Sequence, residues 1–217
     1  LKNNFFIILL CIVKIGIGMN KKEVIKKKIG KAAMQCFAKY GLDKTTLDDI
    51  ARAVGLNKAS LYYYFKNKED VFLETAVEEG KDFLAQLQQK TLTKKGIQNQ
   101  IWFYMQSRFN YYANVLNMNR VSAATLNSIL PRFFELYDDM IKQEKQFLKK
   151  LIDKSVKEKS VRKMNSAKIA SLLINISDAL KHSVEQKCIL KGDNNIDYKQ
   201  SINDMKFFVS LIFSTAA

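Results

Sequence analysis

A single proline, Pro131, and eight glycines in 217 residues leave this chain very few places to reverse direction sharply. A sandwich or barrel needs a tight turn every 8–12 residues or so, each usually built on Gly, Pro, Asn or Asp, whereas long helices need few. The chain is therefore expected to be all-α. Apolar residues at 47% and charged residues at 26% suffice for a core and exclude wholesale disorder. The three cysteines, Cys11, Cys36 and Cys188, are odd in number and form no Cys-x-x-Cys, so neither a disulfide framework nor a zinc site is indicated. A reducing, cytoplasmic setting is expected.

The start of the chain admits two readings. Phe5 to Val13 is an apolar run behind Lys2, too short to span a bilayer but compatible with a secretory signal. Against this, Leu1 followed by Met19-Asn20-Lys21-Lys22 suggests a misassigned start, with residues 1–18 a leader outside the native protein. The second reading is favoured, because the segments after Met19 make sense inside a cell.

From Ile25, apolar side chains recur at Ile29, Ala32, Ala33, Cys36, Phe37 and Tyr40, the spacing of one helix face, and Gly41 stops the run. Leu47, Ile50, Ala51 and Val54 repeat the pattern over a shorter length before Gly55. Thr46 with Asp49 reads as a capping box that uses Asp in place of Glu. Asn57 caps a third short segment, Lys58 to Tyr64, and Asn67 caps a fourth whose first turn carries Glu69 and Asp70. Longer helices are predicted over Lys68 to about Thr91, Ile97 to about Met118, Pro131 to about Lys159, Ser166 to about Leu190 and Ile196 to about Phe213. A short extra helix is predicted between Val121 and Leu130, because Pro131 favours a helix start and disfavours helical geometry at Leu130.

The stretch Thr45 to Phe65 thus reads as helix, Gly-containing turn and second helix, the layout of a helix-turn-helix. A duplex major groove admits one helix, and a preceding helix packed across it sets its angle against the phosphates. Here the sequence resembles the TetR family of bacterial transcriptional repressors. The residues that carry the resemblance are Thr45-Thr46, Ile50-Ala51 to Gly55, and Leu61-Tyr62-Tyr63-Tyr64-Phe65-Lys66-Asn67-Lys68, within about Lys21 to Leu73. Many members have His where this chain has Tyr64.

The resemblance implies an N-terminal three-helix helix-turn-helix head over 19–67 and a C-terminal helical bundle for ligand and dimer over 68–217. It also implies roles: Thr45, Thr46, Tyr63, Tyr64 and Lys68 at the DNA backbone, and Lys58, Ala59, Ser60 and Tyr62 at base edges. Three consecutive tyrosines sweep too much of a helix to be buried together, so at least one of them faces outward. Net charge supports DNA binding without locating it: residues 19–75 hold 12 basic and 7 acidic groups, residues 76–217 hold 22 and 14, and the whole chain is +15. Lys21, Lys22, Lys26, Lys27 and Lys28 are the densest run, readable as a basic arm beside the duplex or as a solvated helix face.

Aromatics surround the helix from Ile97 on all sides, so it is expected to be buried on several sides against Phe133, Phe134, Tyr137 and Met140. In the resemblance this helix group encloses an effector pocket, for which Trp102, Phe103, Met105, Phe109, Tyr112, Phe134 and Tyr137 are the expected lining. An apolar or aromatic small molecule is expected, with Arg108 and Arg120 available to an acidic group. A plain aromatic core is the competing reading for each residue. A homodimer surface is expected from Ile169, Leu173, Ile176 and Leu180, and from Ile202, Met205, Phe208, Val209 and Ile212, because the last helix is apolar over too broad an arc for one-sided packing.

The expected function is that of a sequence-specific repressor, acting as a homodimer on double-stranded operator DNA, released by a small effector, and using no cofactor and no membrane. Two alternatives stand beside it. One is a ligand-independent architectural DNA-binding protein. The other is a helical metal-dependent enzyme using the only histidine, His182, with Asp178 and Glu185 on the same helix face; a solvated strip accounts for those three equally well. No hydrolase, phosphate-loop or dinucleotide motif is present, so catalysis is not expected.

Overall fold

The computed structural model describes residues 20–193 and 195–213, and the leader expected over 1–18 lies outside them. Eight helices follow one another among the described residues: α1 Lys21–Tyr40, α2 Leu47–Val54, α3 Lys58–Tyr62, α4 Lys68–Leu92, α5 Ile97–Met118, α6 Ala123–Lys157, α7 Ser166–Lys191 and α8 Lys199–Phe213. The chain is all-α. None of these helices is long and apolar enough to cross a membrane.

Most helices begin on a side-chain cap that satisfies otherwise orphaned N–H groups. Thr46 and Asp49 form the reciprocal box, Asp49 N–H donating to Thr46 Oγ1 at 3.2 Å and Thr46 N–H to Asp49 Oδ2 at 2.9 Å. Asn57 and Asn67 Oδ1 each accept from the backbone three residues on, at 2.7 Å. Gly55 ends α2 at φ 73°, ψ 31°, and Leu56 N–H reaches back to Ala51 O at 2.9 Å. That left-handed turn aims α3 across α2, where a side chain with a Cβ would be strained. At five residues α3 is too short to hold itself, so Leu61, fully buried, anchors it; such burial stabilises by about 1.5–3 kcal/mol.

The head packs α1 against α2 and α4 around Ile29, Ala33, Phe37, Ile50, Leu61 and Phe72. Gly30 brings α1 very close to α4: a Cβ built there would meet Thr75 Oγ1 at 2.3 Å. Behind the head, α4 lies on α5 and α6, α6 runs along α7, and α8 closes the bundle against α5 and α7. The α1–α2 turn also touches the bundle, with Leu42 N–H donating to Asn119 O at 3.0 Å and Thr125 Oγ1 donating to Asp43 Oδ1.

Three element boundaries differ from the sequence reading. The helix α3 stops at Tyr62 rather than Tyr64, where Tyr64 N–H closes a tighter turn on Leu61 O at 2.9 Å. Pro131 does not separate two helices but sits inside the 35-residue α6, on its exposed side. There water can reach the carbonyl that a proline leaves without its usual intrahelical donor, while Ile129 on the inner side stays buried. The last helix starts at Lys199 rather than Ile196, because Asn117 holds the Ile196 backbone: Ile196 N–H donates to Asn117 Oδ1 at 2.9 Å and Asn117 Nδ2 to Ile196 O at 2.8 Å.

Candidate nucleic-acid interface and ligand cleft

The outer edge of α3 is open. Lys58, Ala59, Tyr62 and Tyr63 are exposed, Tyr62 at 51% and Tyr63 at 69%, while Leu61 and Phe65 turn inward and Ser60 and Tyr64 are half-buried. Rings exposed to that degree mark a surface rather than a core. Lys58 Nζ rests 3.2 Å from Asp48 Oδ2, an ion pair with both side chains half in water. Tyr63 packs edge-on against Tyr64 at 5.0 Å, and Lys22 of α1 lies 5.0 Å above the Tyr63 ring, so the N-terminal lysines and the tyrosine pair share one side of the head.

The two threonines separate. Thr46 is exposed at the positive end of α2, its hydroxyl donating to Asp49 Oδ2 at 2.6 Å. Asp49 is thereby held below the usual carboxylate range, by the Thr46 hydrogen bonds first and Arg52 next. Thr45, expected at the DNA backbone, is instead 1% exposed and donates to Gly41 O at 2.8 Å. Its hydroxyl secures the α1–α2 turn and has no route to a phosphate in this arrangement. Lys68 Nζ donates to Asp43 O at 2.6 Å, clamping α4 to the same turn while remaining partly accessible.

A second feature lies in the body. Between α4, α5, α6 and α7 runs an apolar cleft, walled by Phe72, Tyr111, Tyr112, Phe133, Phe134 and Tyr137 among others. Tyr112, Phe134 and Tyr137 of the expected lining are there. Trp102, Phe103, Met105 and Phe109 are not: Met105 and Phe109 are fully buried core, Phe109 against Tyr198, while Phe103 sits under Lys94 and Trp102 faces a groove beside α8. The cleft follows the C-terminal half of α5, including Val115 and Leu116, and the start of α6, including Leu126, Ile129 and Leu130.

Arg108 is not available to an acidic ligand. Fully buried, it lies 2.6 Å from Glu144 Oε1 through Nε and 3.2 Å from Asp178 Oδ1 through Nη2. It donates to Ser177 Oγ at 2.8 Å and Tyr137 Oη at 3.3 Å. Tyr104 and Tyr137 hydroxyls complete the shell around Glu144 at 3.1 and 2.8 Å. Burial opposes the Arg108 charge, but Glu144 first and the groups around it next hold the guanidinium more firmly protonated than usual. Arg120 lies elsewhere, packed over Gly41 at the head–body junction. The strip Asp178, His182 and Glu185 is not wholly solvated either: Glu185 is nearly buried, His182 is exposed, and all three line one end of the cleft with Lys181.

Among the nine residues expected at a dimer surface, Leu173, Met205 and Val209 are buried within the single chain. Ile169, Ile176, Leu180, Ile202, Phe208 and Ile212 are half-buried, and the exposed apolar residues of α8 are Phe207 and Leu211. Periodicity marked the helix but not its outward side.

Comparison with known proteins agrees with this geometry. Residues 29–75 match the family described as bacterial regulatory proteins, tetR family. Over 48 residues the chain is 48% identical to the biofilm operon icaADBC HTH-type negative transcriptional regulator IcaR of Staphylococcus epidermidis, a match that covers 22% of this chain and 26% of that one. The chain thus matches about a quarter of the length of the curated relative. Among solved structures, a transcriptional regulator from Cytophaga hutchinsonii superposes with a TM-score of 0.64 at 24% identity, over 85% of this chain and 92% of that one. A Mesorhizobium loti chain described as a TetR-family regulator gives 0.62 at 14% identity, over 90% and 98%. The head, residues 29–75, is thus similar to the tetR family of bacterial regulatory proteins, and the chain shares the fold of these solved structures.

Proposed function

We propose that this protein is a homodimeric, operator-binding repressor whose hold on DNA is released when a small molecule fills the cleft. The observation that carries the reading is the open edge of α3. On this reading Lys58, Ala59, Ser60 and Tyr62 meet base edges, and Thr46, Tyr63, Tyr64, Lys68 and the lysines of α1 meet phosphates; the support is that Lys58, Ala59 and Tyr62 are exposed and Ser60 half-buried. Thr45 has no part in that contact. The Lys58–Asp48 pair costs little to exchange for guanine or phosphate, since half-exposed ion pairs are worth at most about 1 kcal/mol. The negative-regulator name of the relative matched in the head supports repression, while its operon is a property of that protein alone.

A second copy fits the exposed Phe207 and Leu211 of α8, and two-fold symmetry would set two α3 helices about one DNA turn apart. Release follows from connectivity. The residues that wall the cleft flank the α5–α6 turn, and that turn is hydrogen-bonded to the head through Leu42 and Asp43. A ligand that spreads α5 from α6 tilts the head, and weakens operator binding by its differential affinity for the two arrangements and no more.

Footprinting on a selected operator tests the DNA arm. Lys58→Ala with Tyr62→Ala should lose sequence choice, each good base contact being worth about 1–3 kcal/mol, whereas Lys68→Ala should weaken all duplexes alike. Protection unchanged in the double variant would overturn the reading, and equal protection of a scrambled operator by the unmodified chain would favour an architectural role instead.

A further inference from the structure

The ligand of the cleft can be narrowed by charge, an argument that rests on reading the cleft as an effector chamber. Its walls are apolar and aromatic, and its polar end belongs to α7. The charged groups there are buried Arg108 and Lys181 against buried Glu144 and Glu185 and half-buried Asp178, two positive and three negative. In a chain of net charge +15, this cluster carries one carboxylate more than its cations.

The pairings identify which one. Arg108 is matched to Glu144, and Lys181 to Asp178 at 3.0 Å. Glu185 feels Lys181 one turn away but shares that cation with Asp178, and its direct contacts are a neutral donor, Tyr198 Oη at 2.6 Å, and exposed His182 at 3.8 Å. The opposite wall adds a second sign. The Tyr111 hydroxyl is buried and has no hydrogen-bond partner among the described residues. Burial first, then the exposed carboxylates Glu79 and Asp82 of α4, push its ionisation up to about 12. The cleft also lodges an ammonium of its own: Lys181 Nζ stands 3.5 Å from the centre of the Tyr112 ring.

We propose that the cleft takes a lipophilic cation, its apolar part along Phe133 and Phe134 and its ammonium directed to the Glu185 end, with the Tyr111 hydroxyl free to bond a polar substituent. An ammonium entering this space exchanges hydration for ring faces and an unmatched carboxylate. An anion would meet Glu185 with both nearby buried cations already committed, and freeing either would strand its partner carboxylate.

The test titrates the full-length chain, at pH 8 and below micelle formation, with decyltrimethylammonium, decanol and decyl sulfate, read by calorimetry as saturable binding of one molecule per chain. The cation should bind about tenfold or more tighter than the other two, and Glu185→Gln, which keeps an acceptor for Tyr198, should remove most of that margin. The bulk charge of the protein favours the sulfate, so a cation preference would run against the overall field. Sulfate or decanol binding as tightly as the cation, or no saturable binding of any of the three, overturns the proposal. The ligand series on the unmodified chain decides this even if Glu185→Gln does not fold. Operator footprinting of the same preparation without ligand reports separately on the DNA reading, so the two can fail independently.

Discussion

The reading edge of the head and the Arg108 cluster of the body treat positive charge in opposite ways. On α2 and α3 the cations stand in water: Lys58 shares Asp48 with both side chains about half exposed, and Arg52 pairs with Asp49 from a side chain 77% exposed. In the body Arg108 is buried completely and held by groups from α6 and α7. A cation of the first kind can change partner at little cost, so it can meet DNA. One of the second kind cannot move without leaving a bare carboxylate behind, and so it serves registry between helices.

The contrast breaks first at Arg108. Arg108→Met should destabilise the fold by about 3–5 kcal/mol, because Glu144 remains buried without its cation, and Arg108→Met with Glu144→Leu should recover most of the loss. Denaturant unfolding of both variants checks this; a single variant no weaker than a surface lysine change would erase the distinction between the two regions. Next comes the α1–α4 seam. Gly30→Ala gains about 1 kcal/mol of helix propensity yet should lose about 1–3 kcal/mol overall, since its Cβ meets Thr75, and Thr75→Ala in the same chain should restore the midpoint.

The smallest expected effect sharpens the comparison from the head side. Thr46→Ala removes the cap of α2 and should cost about 1 kcal/mol near neutral pH. The depressed Asp49 carboxylate contributes stability that is present above its unfolded value of about 4 and lost as pH falls through its lower folded value. The Thr46→Ala loss should therefore shrink in acid, and thermal midpoints followed from pH 6 to pH 2 measure it. A loss that grew instead would mean that Asp49 is not held by Thr46.

The head was legible because its signals are local. Thr46 with Asp49, Asn57, Asn67, Gly41 and Gly55 each act within a few residues, and each forms the cap or stop its chemistry implies. Thr45 is the exception: its inward turn depends on Gly41 O and Cys36 O across a loop, which no spacing rule reports. The body was legible as helices but not as faces. Since α5 is enclosed on several sides, its aromatics show no single stripe, and nothing in Trp102 or Phe109 separates core from cleft wall in Tyr112. Arg108 meets Glu144 across 36 residues of chain and Asp178 across 70, so the cluster exists only once three helices have docked. Pro131 within α6 was unreadable for a similar reason, as packing on both sides of it overrides a local preference.

That cluster also constrains how the body can assemble. If α5 settled on α6 without α7, Asp178 and Lys181 would be missing from a half-dry charge pair; if α6 settled on α7 without α5, Glu144 would face its new neighbour with no guanidinium to balance it. Neither two-helix subassembly is a comfortable resting place, so these three rods gain most by shutting together. The body should then melt as one block, whereas the capped head, tied on mainly through α4 and a single turn, is free to fray on its own schedule.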